Sequence, residues 1–488
     1  MHHPVLQFVH RGEIISLRNV PPTRSLLQVL REDLACTDSK EGCNEGDCGA
    51  CTVVLGERQH DHIHYSAINS CIRLAHSIHG MALWTAQDLA AADGTPHPVQ
   101  QALSECHASQ CGFCTPGIAM SLFGLYQKQA GQNTPLERTQ AAEVLTGNLC
   151  RCTGYRPILD AAQRMGELPR VMLDETKVLQ QLELLTLTAQ ALEADLSYNS
   201  PDTLNALLAA RSAQPKAQLV AGCTDVGLWV NKQHRHFEQV IDLTRVAELR
   251  GIDDLGEQLQ LGAAVRLTDA FAALEHERPQ LHSFFSRFAA QPVRNSGTLG
   301  GNIANGSPIG DAMPLLIALH ARVVLSSVRG QRELALEDFY TGYRQNVLAA
   351  DEVLAWIKVP KPAPDELLRA YKISKRFDDD ISAVCLCLNV QLQNGYVTQA
   401  SIGVGGVAAT PMRASQTEAQ LLGQAWNQTT VTQASDCLRQ EFSPISDMRA
   451  SSQYRSQVLG NLLQRFWRES QGETLTQLAD VSMLGDWP

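Results

Sequence analysis

The 488-residue sequence has no apolar run that approaches the length of a bilayer-crossing helix; Met313 to Leu319, among the longer ones, spans only seven residues. Its start, Met1-His2-His3-Pro4-Val5, has neither the basic segment nor the apolar stretch of a secretory leader. Positive charge is also scarce. Lys and Arg number 40 against 51 Asp and Glu, a formal charge of -11. That balance argues against a surface that tracks phosphates, so neither nucleic acid nor a membrane is an expected partner. No G-x-G-x-x-G follows a strand pattern, and a Rossmann dinucleotide site is therefore not supported. The expectation is a soluble, cytoplasmic protein.

What is present is length, an ordinary globular composition and cysteine. The chain is too long for one hydrophobic core. With 44% apolar and 19% charged residues it reads as several folded domains. Of 14 cysteines, nine lie between Cys43 and Cys152, whereas the 336 residues beyond hold four. In a long cytoplasmic chain such thiols serve metals or sit buried.

Val5 to Leu17 alternates apolar and polar residues around Arg11-Gly12, a hairpin signal. Ser25 to Arg31 follows with helical spacing and a cap at Ser25 or Thr23. From about Thr85 to Met165 the pattern is Ala- and Gln-rich and helical, which implies a second domain. A Leu-, Glu- and Thr-rich stretch then reads as a tether with some helix. Beyond it, short β-rich runs such as Val240-Ile241-Asp242-Leu243 alternate with helical segments, as in mixed α/β domains. A last boundary falls near Ala370, after the proline-rich Val359 to Pro364.

Cys43, Cys48 and Cys51 are spaced C-x4-C-x2-C among Gly42, Gly46 and Gly49, with Cys71 downstream. This is the plant-type 2Fe-2S spacing. A binuclear cluster needs four thiolates from different directions, and glycines let the loop wrap it with N-H groups turned inward. A second set joins Cys111-x2-Cys114 to Cys150-x-Cys152. Residues at i and i+2 share no helix face, so Cys150 and Cys152 belong on a turn. Helical pattern follows both pairs, at Gly117 to Tyr126 and Pro157 to Met165. Helix N-termini there favour an anionic thiolate site. A zinc site is the alternative for either set, although zinc loops favour paired C-x2-C.

The strings around these cysteines, Glu41-Gly42-Cys43 to Cys51-Thr52, Gln110-Cys111-Gly112-Phe113-Cys114-Thr115-Pro116-Gly117 and Gly147-Asn148-Leu149-Cys150-Arg151-Cys152-Thr153-Gly154-Tyr155-Arg156-Pro157, resemble the xanthine dehydrogenase and aldehyde oxidase family of molybdenum hydroxylases. The resemblance implies a multidomain α+β chain: a β-grasp 2Fe-2S ferredoxin domain (1–85), a four-helix 2Fe-2S domain (86–166), a linker (167–195), an α/β FAD-binding domain of the vanillyl-alcohol-oxidase type (196–369) and a small α+β C-terminal flavoprotein domain (370–488). It implies Cys43, Cys48, Cys51 and Cys71 as ligands of one cluster and Cys111, Cys114, Cys150 and Cys152 of the other, the latter nearer the molybdenum cofactor. Gln110 matches a residue that touches the pterin.

Leu219 to Gly227 reads as a strand, a glycine turn and a following segment, able to present N-H groups to a pyrophosphate. Asn295-Ser296-Gly297-Thr298-Leu299-Gly300-Gly301-Asn302 implies close backbone approach to something bulky. Either could be tight turns alone. Together with Ser307 to Asp311 they resemble the family's FAD domain. That likeness assigns FAD contacts to Val220, Ala221, Gly222, Cys223, Thr224, Asp225, Val226, Gly227, Phe288, Thr298, Gly301, Asn302, Asp311, Leu354 and Lys372. Lys375-Arg376-Phe377-Asp378-Asp379-Asp380 resembles the loop where the family admits NAD; a solvated charge run is the plain alternative.

The sequence ends at Trp487-Pro488 with no room for a molybdopterin domain, so substrate oxidation is expected on a separate large subunit, in a heterodimer or a dimer of heterodimers. The resemblance implies an electron-transfer subunit, foremost of a xanthine dehydrogenase, in which xanthine or hypoxanthine, NAD and water give urate or xanthine and NADH. Electrons would run from molybdopterin on the partner through two 2Fe-2S clusters to FAD and NAD. A related aldehyde or N-heterocycle hydroxylase, or a stand-alone flavin and iron-sulfur reductase, is the alternative.

Overall fold

The computed structural model describes residues 5–129, 136–189 and 197–476; the leader reading at Met1 to Pro4 and the terminus at Trp487-Pro488 lie outside them. The hairpin Leu6–His10 and Glu13–Leu17 joins Ala82–Trp84, Thr52–Gln59 and His62–Asn69 in a five-stranded mixed sheet. The sheet grasps a helix at Leu26–Gln28 that Ser25 caps through a capping box. Four helices follow, Pro98–Glu105, Thr115–Lys128, Arg138–Val144 and Arg156–Met165. Thr115–Lys128 is apolar nearly all round and buried, as a central helix must be. Its Leu122 and Phe123 share one core with Val54, Tyr65 and Trp84 of the sheet, so the first two units are fused rather than strung together.

The stretch read as a tether holds the helix Glu175–Ala189, which packs back onto this pair. Leu182 and Leu185 enter its core, and Glu175 accepts hydrogen bonds from Tyr65 Oη and Ile63 N. Two apolar residues three apart give the helix a sticking face, which composition alone concealed.

The flavin unit has a three-stranded parallel sheet, ordered Tyr198–Asn199, Val240–Asp242, Gln218–Val220, and a five-stranded antiparallel sheet around Val353–Pro360 and Arg322–Ser327. The last unit is a four-stranded antiparallel sheet, Glu366–Ile373, Val384–Gln393, Tyr396–Gly405 and Met412–Arg413. Its first strand begins before the expected boundary at Ala370. Gly403 meets the helix Ala312–Ala318 so closely that a Cβ would lie 1.8 Å from Pro314 O.

His97 caps the helix Pro98–Glu105 by accepting from Val99 N at 3.2 Å. Burial pushes its pKa down to about 4. A depressed imidazole contributes stability that is present above pH 6.5 and lost as pH falls toward 4. Urea midpoints at pH 7 and pH 5 should therefore report a loss of about 2 kcal/mol from this residue. His97→Asn keeps the cap acceptor and should flatten that slope; an equally steep slope in the variant would rule the assignment out.

Candidate redox centres and flavin cradle

The loop from Gly42 to Cys51 turns through Asn44, Gly46 and Gly49, all at positive φ. Its amides face sulfur. Asp47 N and Cys48 N donate to Cys43 Sγ at 3.4 and 3.3 Å, and Cys43 N donates to Cys48 Sγ at 3.4 Å. The hydrogen bond from the Cys48 thiol, aided by these amides, holds Cys43 down to about 5, while Cys48 is pushed up. Cys51 and Cys71 form a second such pair, both buried: the thiol of Cys71 lowers Cys51 and is itself raised.

The other quartet repeats the arrangement at two helix starts. Cys114 is the N-cap of Thr115–Lys128, and Cys150 to Thr153 run as a bend ahead of Arg156–Met165. Cys111 is lowered first by the Phe113 amide and then by the thiol of Cys152, which rises in return. Burial raises Cys150, but hydrogen bonds from Thr153 and Cys114 outweigh it; Cys114 is pushed up to about 12, by burial first. The eight thiols thus form four pairs, in each of which one thiol is lowered and the other raised. Among the described residues no three His, Cys, Asp or Glu side chains converge to hold one metal ion. Four cysteines arranged as two pairs would suit a 2Fe-2S centre, one pair serving each iron. Gln110 stands exposed beside Cys111.

The two quartets are joined by backbone. Leu149 N donates to Cys48 O at 3.0 Å, and the buried Asn148 donates to Gly49 O and Thr52 Oγ1, each at 3.2 Å. On its other side the ferredoxin loop meets the flavin unit. Asn231 Nδ2 donates to Cys71 O at 2.9 Å and Lys232 Nζ to Cys43 O at 2.6 Å. Both sit at the end of the helix Val226–Gln233, about 12 Å long. Its first turn is packed by Gly227 against Ile72, where a Cβ would lie 2.2 Å from Ile72 O. Nothing in the sequence of Asn231 or Lys232 signals this role.

That helix begins at the glycine turn. Gly222 and Cys223 have φ of 91° and 67°, and a Cβ at Gly222 would lie 1.9 Å from Ser296 O. Residues 220–227 are thereby laid against 295–302, where Thr298 Oγ1 caps its helix by accepting from Gly301 N at 3.0 Å. Cys223 turns its thiol into the core; burial pushes it up to about 12. Burial likewise raises Asp225, against Arg344. Asn302 Oδ1 and Asp311 Oδ1 are buried without a hydrogen-bond partner. Such atoms cost free energy unless something polar meets them. A closely packed glycine turn beside these orphaned acceptors fits a dinucleotide, whose hydroxyl or ring N-H donors would meet them.

Lys372 is buried and paired: its Nζ lies 2.6 Å from Asp311 Oδ2 with both side chains at most 5% exposed. Phe288 and Leu354 sit in the main apolar core, Phe288 edge-on to Phe271 at 4.9 Å. The charged run beyond Lys372 is pinned by Arg287, which donates to Phe377 O at 2.6 Å and Ser374 Oγ at 3.1 Å and stacks over the Phe377 ring. Asp379, at φ 46°, is pushed up to about 7 by burial, with Asp47 of the ferredoxin loop adding to it. Beside this run opens a cavity of about 410 Å³ lined by Ile373, Ser374, Lys375, Ala383, Arg449 and Tyr454.

Four family models match the chain in the order of these units: a 2Fe-2S iron-sulfur cluster binding domain over 9–74, a [2Fe-2S] binding domain over 85–163, the FAD binding domain in molybdopterin dehydrogenase over 192–362 and the CO dehydrogenase flavoprotein C-terminal domain over 369–470. Xanthine dehydrogenase of Drosophila subobscura is 34% identical over 483 residues, 86% of this chain, and the chain spans 36% of that relative's length. Among solved structures, carbon monoxide dehydrogenase from Hydrogenophaga pseudoflava is 28% identical with a TM-score of 0.53, covering 56% of this chain and 96% of that one. Quinoline 2-oxidoreductase from Pseudomonas putida 86 is 25% identical with a TM-score of 0.52, covering 57% and 98%. Two cluster domains followed by a flavin domain define an iron-sulfur flavoprotein built for electron transfer. The chain carries the iron-sulfur and FAD-binding domains found in molybdenum hydroxylases, and xanthine dehydrogenases are among the relatives it resembles along most of its own length.

Proposed function

We propose that this chain is the electron-transfer subunit of an NAD-dependent xanthine dehydrogenase, with Cys111, Cys114, Cys150 and Cys152 holding one 2Fe-2S cluster and Cys43, Cys48, Cys51 and Cys71 the other. The carrying observation is the hydrogen-bonded run from the Cys150 loop, by Leu149 N to Cys48 O, through Cys48 N to Cys43 Sγ and on from Cys43 O to Lys232, on the helix that follows the flavin turn. FAD lies along Val220 to Gly227, Thr298, Gly301, Asn302, Asp311 and Lys372, with Phe288 and Leu354 supporting it from the core. Flavin converts single-electron transfers into a hydride for NAD, which approaches the cavity beside Lys375.

The partner is a molybdopterin-binding subunit. Supporting this, Phe113, Leu149 and Tyr155 are 47%, 41% and 36% exposed around the exposed Cys111 and Cys152. Apolar side chains ringing a redox centre suit a docking face, and Gln110 lies within it. All 14 cysteines are free, which suits the cytoplasm. Among the described residues no helix is long and apolar enough to cross a membrane. The purified chain, reconstituted with iron, sulfide and FAD, should oxidise NADH with an artificial dye and leave xanthine untouched. Xanthine turnover by the lone chain would overturn the division of labour, and absence of NADH oxidation would remove NAD. The resemblance to quinoline 2-oxidoreductase keeps an N-heterocycle hydroxylase as the second reading; substrate screening of the co-purified complex decides between them.

A further inference from the structure

We propose that Asn148 is a positioning residue whose side-chain amide sets the electronic contact between the two cysteine quartets. The inference rests on the proposed assignment of those quartets to two 2Fe-2S centres. The bonded route from Cys150 Sγ to Cys48 Sγ crosses one hydrogen bond, Leu149 N to Cys48 O at 3.0 Å. Asn148, the residue before Leu149, is 2% exposed and uses its whole amide to hold that seam shut. Its Nδ2 donates to Gly49 O and Thr52 Oγ1 in the ferredoxin unit, each at 3.2 Å. Its Oδ1 accepts from Ser121 Oγ at 2.6 Å, on the helix that Cys114 starts. The amide therefore ties the ferredoxin loop that carries Cys48 and Cys51 to the helix and bend that carry Cys114 and Cys150.

The seam tolerates no slack. A Cβ at Gly49 would lie 2.3 Å from Gly147 O, and one at Gly117 would lie 2.1 Å from Gly49 O. Three glycines bring the backbones together, and one buried amide fixes their register. A buried amide whose donors and acceptor are all used is costly to break. The transfer it serves is simple: one electron leaves the reduced centre of the helical unit and enters the oxidised centre of the ferredoxin unit, with no bond broken and no proton moved. Asn148 itself touches neither sulfur quartet by its side chain, so it acts through Leu149 and Cys48.

The test uses the reconstituted full chain. Reduced wild type should show two resonance signals with mutual magnetic splitting. Asn148→Ala should keep iron content, both g-tensors and both potentials, lose the splitting, and slow intercluster equilibration after pulsed reduction by roughly tenfold or more, the scale on which loss of a hydrogen bond supporting the ligands alters a metal centre. If Asn148→Ala loses iron, Thr52→Val carries the test, since it removes one acceptor of the same Nδ2 and should weaken the splitting and the rate in the same direction. Unchanged splitting and rate with both centres loaded overturns the role of Asn148 alone. Fewer than two signals in wild type overturns the assignment of the quartets together with it.

Discussion

In the reduced, reconstituted chain, Cys150→Ser should abolish one of two 2Fe-2S resonance signals, lower iron content by about half and leave the second signal in place. Cys150 shares a pair with Cys114 at a helix N-terminus, and against the upward push of burial its thiol is lowered by Thr153, whose Oγ1 lies 3.2 Å away. A serine hydroxyl at that point, with an ordinary alcohol acidity, supplies no thiolate to that iron. The remaining thiol of the helical unit, Cys106, caps the end of Pro98–Glu105 among the charges of Asp160, Glu105 and Arg164 rather than those of the quartet. The ferredoxin quartet depends on its own amides, from Cys43, Asp47 and Cys48, and keeps its signal. Two intact signals would break the assignment of the second quartet; loss of both would show that the two loops fold as one unit through the Leu149 to Cys48 contact.

The site was legible where chemistry fixes spacing. Cysteine intervals and glycine loops follow from wrapping a cluster, and Gly222 is read correctly as a turn because only a residue without Cβ can lie against Ser296 O. Contacts between units left no such mark. Asn231, Lys232 and Arg287 are ordinary polar residues in sequence, and become linkers only when long-range packing places them on Cys71 O, Cys43 O and Phe377 O. The same holds for the partner of Asp311. That aspartate stands at the N-cap of Ala312–Ala318 but makes no side-chain cap bond, because Lys372, 61 residues on, claims its carboxylate. The helix expected in the tether is there, and its packing was hidden for a related reason: Leu182 and Leu185 matter only because they join the core of the first two units.

Lys372→Met should be the most destabilising single change in the flavin half, costing about 3 to 5 kcal/mol and releasing FAD, with both iron-sulfur signals retained. Lys372 lies on the strand Glu366–Ile373 and Asp311 at the start of Ala312–Ala318, so the pair stitches the flavin unit to the last one. Both side chains are almost wholly buried. Removing the cation leaves a buried carboxylate with no hydrogen-bonded cation, only the field of Arg287, and one oxygen already without a partner. Replacing both members by apolar residues removes the stranded charge, so Lys372→Met/Asp311→Leu should recover much of the stability while still failing to bind FAD. Recovery of stability without flavin separates the structural role of the pair from its polar role in the cradle. Retention of FAD in the double variant would show that the pair serves packing alone, and an unaltered urea midpoint in Lys372→Met would show that the charge is not buried in solution.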